Sequence, residues 1–136
     1  MEGFLKANLS VPLEWVDPPD GVESFAIICD DPDARPLPWV HWVIYNIPPQ
    51  TRSLSETAEQ DDDMPEGSVS GRNSWGSHHY VGPSPPSGTH RYFFKLYALD
   101  TMLEFETGPG KEGLLVAMEG HILGQGEFVG TFARPE

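Results

Sequence analysis

Apolar residues in this 136-residue chain fall in short runs of strand length, bounded by glycine and proline. The run Phe25-Ala26-Ile27-Ile28-Cys29 is continuous, so a strand over about Ser24 to Cys29 is expected to be buried on both faces. A second strand, Trp39 to Ile47, alternates twice over. Trp39, His41, Val43, Tyr45 and Ile47 would share one face, and Val40, Trp42, Ile44 and Asn46 the other. A third, from His90 to about Leu99, sets His90, Tyr92, Phe94 and Leu96 against Arg91, Phe93, Lys95 and Tyr97. A short strand near Leu9 to Trp15 is expected to open the sheet, and one from about Glu127 to Ala133 to close it. Leu114, Leu115, Met118, His121 and Ile122 recur at helical spacing with Gly124 behind them, which predicts one helix over about Lys111 to Leu123.

The 14 glycines and 14 prolines are spread as punctuation, without internal repeats, which is the pattern of an all-β sandwich or barrel. With 136 residues and 38% hydrophobic content the chain is expected to form one domain around one core. Between Ser53 and Gly71 stand Glu56, Glu59, Asp61, Asp62, Asp63 and Glu66 with no basic residue, which reads as a solvated loop. From Gly67 to Thr89 periodicity is lost, yet Trp75, Tyr80 and several prolines favour an ordered loop.

Charge narrows the choice of partners. Twenty-one acids against 8 bases give a net charge of -13, which repels nucleic-acid backbones and anionic lipid surfaces. An anion would have to be held by local donors, such as imidazole or backbone N–H groups, against that field. The single cysteine, Cys29, allows no internal disulfide, and its apolar neighbours mark it as a buried thiol. No apolar stretch approaches the roughly 18 residues of a membrane span, and Met1-Glu2-Gly3-Phe4 does not open like a signal peptide, so a cytoplasmic location is expected.

Candidate chemistry gathers at strand ends. Asp30-Asp31-Pro32-Asp33-Ala34-Arg35-Pro36 follows the first buried strand directly, His41 enters the second and His90 begins the third. Singly, an Asp before proline is usually a turn former and a His on an apolar strand a hydrogen-bonded filler. In combination with Trp39-Val40-His41-Trp42 and the run Tyr80-Val81-Gly82-Pro83-Ser84-Pro85-Pro86-Ser87-Gly88-Thr89-His90-Arg91-Tyr92, however, the Asp31-Pro32-Asp33-Ala34 motif closely resembles the phosphatidylethanolamine-binding protein family, which includes the Raf kinase inhibitor protein. Phe93 to Asp100 is similar to the short bacterial and archaeal members, and the resemblance runs from about Ser10 to Arg134.

That resemblance implies two antiparallel β-sheets packed as a sandwich, with one or two short helices and a small anion pocket at one end of the central sheet. It implies Asp31 as the pocket carboxylate, Trp39 and His41 as wall and donor, Gly82 and Tyr80 at the rim, and His90 and Tyr92 completing the lining. A carboxylate beside an anion repels it unless it orients an imidazole, so Asp31 is expected to hold His41 or His90 and not the ligand. Asp33 is expected to cap its own turn, and Arg91 to serve Asp33 or Asp30. His78 and His79 are expected to be exposed. Family members continue Asp-Pro-Asp-Ala with proline, whereas Arg35 intervenes here.

The expected function is non-enzymatic binding of a phosphate-like or carboxylate group on a phospholipid headgroup, nucleotide or phosphorylated partner, without cofactor or metal. The resemblance further implies regulation of a kinase or protease. No nucleophile elbow or phosphate-cradling glycine loop is present to argue for catalysis. The alternative is a metal-assisted or acid-base hydrolase using Asp31, His41 and His90. A short N-terminal segment would leave a sheet edge open to a second copy of the chain, which makes a homodimer a natural assembly.

Overall fold

The computed structural model describes residues 13–32, 39–54, 64–76, 78, 89–106 and 108–133, with the backbone course alone at 89, 90, 128 and 130–133. Its elements are β1 (Leu13–Glu14), β2 (Ser24–Asp31), β3 (Trp39–Ile47), β4 (Ser53–Leu54), β5 (Val69–Ser70), β6 (Thr89–Leu99), α1 (Lys111–Met118) and β7 (Ile122–Ala133). Five strands form an antiparallel sheet in the order β5-β3-β2-β6-β7, and β1 pairs with β4 in a second sheet.

All eight residues of β2 are buried, as its unbroken apolar run requires of a strand covered on both faces. One face carries Phe25, Ile27 and Cys29 with Trp42, Ile44 and Phe94, under Leu54 of β4 and the partly buried Leu13 and Trp15. The other carries Ala26 and Ile28 with Val43, Tyr45, Tyr97 and Leu99, under Leu114 and Met118 of α1. Fully burying side chains of this size contributes about 1.5–3 kcal/mol each, so β2 is the strand around which both cores condense.

The expected alternation holds in β6 and fails twice in β3. Cys29 faces Trp42 while Asp30 faces Val40, so β3 holds one residue, His41, more than β2 over that step. A second extra residue falls between Ile44 and Ile47, opposite Ile27 and Phe25. There Asn46 takes a positive φ of 57°, and its side-chain amide exchanges two 2.8 Å hydrogen bonds with the backbone of Leu103. As a result Val40, Val43 and Tyr45 belong to the helix-side core, whereas Trp42, Ile44 and Ile47 belong to the other. Two bulges, each an insertion in an otherwise regular ladder, therefore separate residues that strict alternation would place together.

Three further expectations are corrected. α1 stops at Met118 and not at Leu123, because Gly120 enters the left-handed region at φ 80° and the His121 N–H closes on the Met118 carbonyl at 2.9 Å. Ile122 and Leu123 consequently begin β7, which starts well before Glu127. The opening strand, Leu13–Glu14, joins the second sheet and not the main one; residues 9–12 lie outside the described ones. The acidic segment is bounded by strands, with Leu54 buried in β4 and Val69–Ser70 forming β5, and residues 55–63 lie outside the described ones.

Candidate functional site

The candidate site lies where β2, β3 and β6 end together. Asp31 is the last residue of β2 and pairs with Trp39, the first of β3. Both Asp31 and His41 are almost wholly buried, at 3% and 4% exposure, and Tyr92 of β6 is buried as well. The bulge accounts for His41: as the supernumerary residue of β3 it turns out of the alternation and meets Tyr92, ring centroids 5.0 Å apart and nearly perpendicular at 82°.

A fourth ring, absent from the sequence-based site, closes the other side. Trp75 stands 5.0 Å from the His41 ring and 5.3 Å from Trp39, edge to face in both cases. Its segment is fastened along β3: the Gly71 N–H donates to the Val43 carbonyl at 2.7 Å, and the Ser74 N–H to the Val40 carbonyl at 2.9 Å. The Val40 N–H returns a bond to Ser74 Oγ at 2.8 Å. Asn73 Oδ1 then accepts the Trp75 N–H at 3.0 Å, an Asx turn that sets the indole against His41. Glycine is needed at 71, where a Cβ would stand 2.5 Å from the Pro109 carbonyl oxygen and 2.9 Å from Val43. A signal for Trp75 exists in the sequence, a large aromatic directly after Asn-Ser within a polar loop, but nothing in periodicity ties it to β3.

Trp75 is 49% exposed, whereas His41 beside it is 4% exposed. An imidazole can donate an N–H to a carboxylate or phosphate oxygen in either protonation state. Asp30, next to Asp31, is engaged elsewhere: Lys111 of α1 donates to its Oδ2 at 2.5 Å, and Lys95 lies 3.9 Å away. Arg91 is exposed and sets its guanidinium 5.4 Å from the Phe93 ring centroid. Beneath the site, burial pushes the Cys29 thiol well up, and the charges of Asp30 and Asp31 add to that.

Of the residues singled out in the sequence, the structure therefore brings together Asp31, Trp39, His41 and Tyr92. The backbone of His90 lies in β6 opposite Phe132, but its side chain, together with Asp33, Tyr80, Gly82 and His79, lies outside the described residues. His78 is exposed, with Nδ1 3.4 Å from the Ser70 carbonyl oxygen. Among the described residues no three His, Cys, Asp or Glu side chains are grouped to hold a metal ion.

Comparison with known proteins accords with this architecture. The family model for phosphatidylethanolamine-binding protein matches residues 2–133. A UPF0098 protein of Methanothermobacter thermautotrophicus is 52% identical over 127 residues, covering 93% of this chain and 84% of the relative. A crystal structure of a PEBP homologue from Chlamydia trachomatis superposes with a TM-score of 0.83 at 38% identity, over 93% of this chain and 82% of that one. Escherichia coli YbcL, a member of the mammalian PEBP family, does so with a TM-score of 0.85 at 30% identity, over 94% and 82%. The chain belongs to the phosphatidylethanolamine-binding protein family. Among the described residues no helix is long and apolar enough to cross a membrane.

Proposed function

We propose that this chain is a binding protein that holds a small phosphate-like or carboxylate group, borne by a phospholipid headgroup, a nucleotide or a phosphorylated partner, without converting it. His41 is the principal donor, Asp31 sets its imidazole, and Trp39, Tyr92 and Trp75 form the walls. His90, Tyr80 and Gly82 complete the lining, with Asp33 and Arg91 in support. The observation that carries this reading is the buried His41, turned by a one-residue bulge into a cluster of three aromatic rings, with a buried carboxylate on the neighbouring strand. Inhibition of a kinase or protease is a further step that the chemistry of the site does not by itself supply.

Thermal unfolding in sodium phosphate, sodium acetate and sodium chloride at equal ionic strength tests it. Saturating phosphate or acetate should raise the midpoint by about 3–6 °C relative to chloride, by mass action on the folded state, and His41→Ala should abolish the rise. Equal midpoints in all three salts would sink the proposal. Stabilisation by Zn²⁺ that disappears in His41→Ala, or hydrolysis of p-nitrophenyl phosphate that requires His41, would replace it with the hydrolase reading.

A further inference from the structure

On the far part of the same sheet face lies an open trough. Gly124 and Gly126 of β7 stand opposite Ala98 and Leu96 of β6, so two successive positions on that face of β7 contribute no side chain to cover the sheet. Pro19 lies over Gly124, where a Cβ would stand 3.3 Å from its Cγ, whereas a Cβ built on Gly126 meets no atom within 4 Å. Trp15 bounds the trough from the side, its ring 5.4 Å from that of Phe25. Two adjoining hollows, of about 390 Å³ and 140 Å³, share Trp15, Leu96 and Gly126 as lining.

The chemistry of an occupant can be read from its surroundings. Among the described residues Trp15 Nε1 is buried without a hydrogen-bond partner, a donor whose cost an acceptor reaching it would relieve. Asp17, Glu14 and Glu127 line the two hollows, and no Lys, Arg or His does, so the field favours a cationic visitor. β7 itself is twelve residues long and forms the edge of the five-stranded sheet, paired among the described residues with β6 alone. Edges of that length are normally guarded by lysine, proline or an inward charge. Ile122–Ala133 contains neither lysine nor proline, and Leu123 and Val129 are exposed along it.

We propose that β7 and the glycine trough form a docking site for an extended, basic polypeptide segment of a partner protein. The segment adds a strand to the edge of β7 opposite β6, as edge-binding domains commonly allow, and lays an apolar side chain over the space left by Gly126. An acceptor of the segment takes the Trp15 N–H, and its basic residues face Asp17 and Glu14. This inference is independent of the anion site and uses none of its residues.

The test measures fluorescence anisotropy of a fluorescein-labelled seven-residue peptide library, with Val or Leu at alternate positions and Lys or Thr between, against the full chain. Binding is expected to weaken about tenfold when Glu replaces Lys in the library, and by a similar factor in Gly126→Val, which fills the trough. Trp15→Phe, which keeps the ring and removes the donor, should weaken it several-fold. Peptide binding should also slow hydrogen exchange of backbone amides in β7. Gly126→Val should leave the phosphate response untouched, so failure here and failure of the anion reading are separately visible. No binding by the Lys/Thr library, equal binding by Gly126→Val, or slowed exchange confined to other strands would overturn the proposal. So would sedimentation as a dimer with β7 already protected, which would assign the edge to a second copy of the chain.

Discussion

At the scale of single residues, Cys29 reports on the electrostatics of the site from below. Its thiol is pushed up first by burial and then by the charges of Asp30 and Asp31. An acid whose folded pKa is raised keeps its full contribution below the unfolded value and loses stability as pH rises from there toward the folded value. The chain should accordingly be insensitive to this group at neutral pH and lose stability from about pH 8.5 upward, the ordinary thiol range. Urea midpoints between pH 7 and pH 10 should fall in the parent and fall distinctly less in Cys29→Ala; parallel curves would show that the thiol is not responsible. Tyr45 and Tyr97, also raised by burial, are present in both proteins, so the loss they bring as pH nears 10, the ordinary tyrosine value, cancels in the comparison. The burial of Cys29 was legible in its apolar neighbours. Trp75 was not, because what places it is hydrogen bonding of Gly71 and Ser74 to a strand about thirty residues upstream, together with the Asx turn of Asn73.

Elements are held to one another by fewer contacts, and one of these is electrostatic. Lys111, the first residue of α1, reaches across to Asp30 of β2, whose side chain is 5% exposed. Removing the lysine leaves a buried carboxylate with Lys95 at 3.9 Å as a weaker substitute. Lys111→Met should therefore cost about 2 kcal/mol, below what breaking a fully buried pair costs because Lys111 is itself partly exposed. Lys95→Met should cost under about 1 kcal/mol, the range of a solvent-facing pair. Denaturant titration of both variants checks the ordering, and equal losses would mean that neither lysine is specific to Asp30. The strands that carry the site were readable as elements: β2, β3 and β6 lie where continuous or alternating apolar runs predict them. Their finer geometry was not, since a period of two is blind to an inserted residue, and both bulges of β3 are insertions. The end of α1 was hidden for a different reason. Ile122 and Leu123 satisfy helical spacing, and the positive φ of Gly120 overrides it.

For the molecule as a whole, the net charge of -13 sets a condition on any anion that enters. On the proposed reading such an anion approaches through a repulsive field and is held by short-range donors. Raising NaCl from about 10 mM to about 150 mM shortens the screening length from about 30 Å to about 8 Å, which weakens the repulsion more than it weakens a buried contact. Phosphate affinity, measured by calorimetry, should thus improve with added salt over this range. A steady loss of affinity would instead place the anion on an exposed basic cluster. The bulge at His41 has a consequence for how such a site arises and disappears. Without that residue, Trp42 opposite Cys29 and Val40 opposite Asp30 would form an unbroken ladder, with Trp39 still beside Asp31. The proposed donor is therefore written into the chain as a one-codon insertion in a complete sheet. In descent, an in-frame deletion of three bases can erase it while leaving the pairing of every neighbouring residue in place, a route to a silent copy of the same fold that substitutions alone would reach less cleanly.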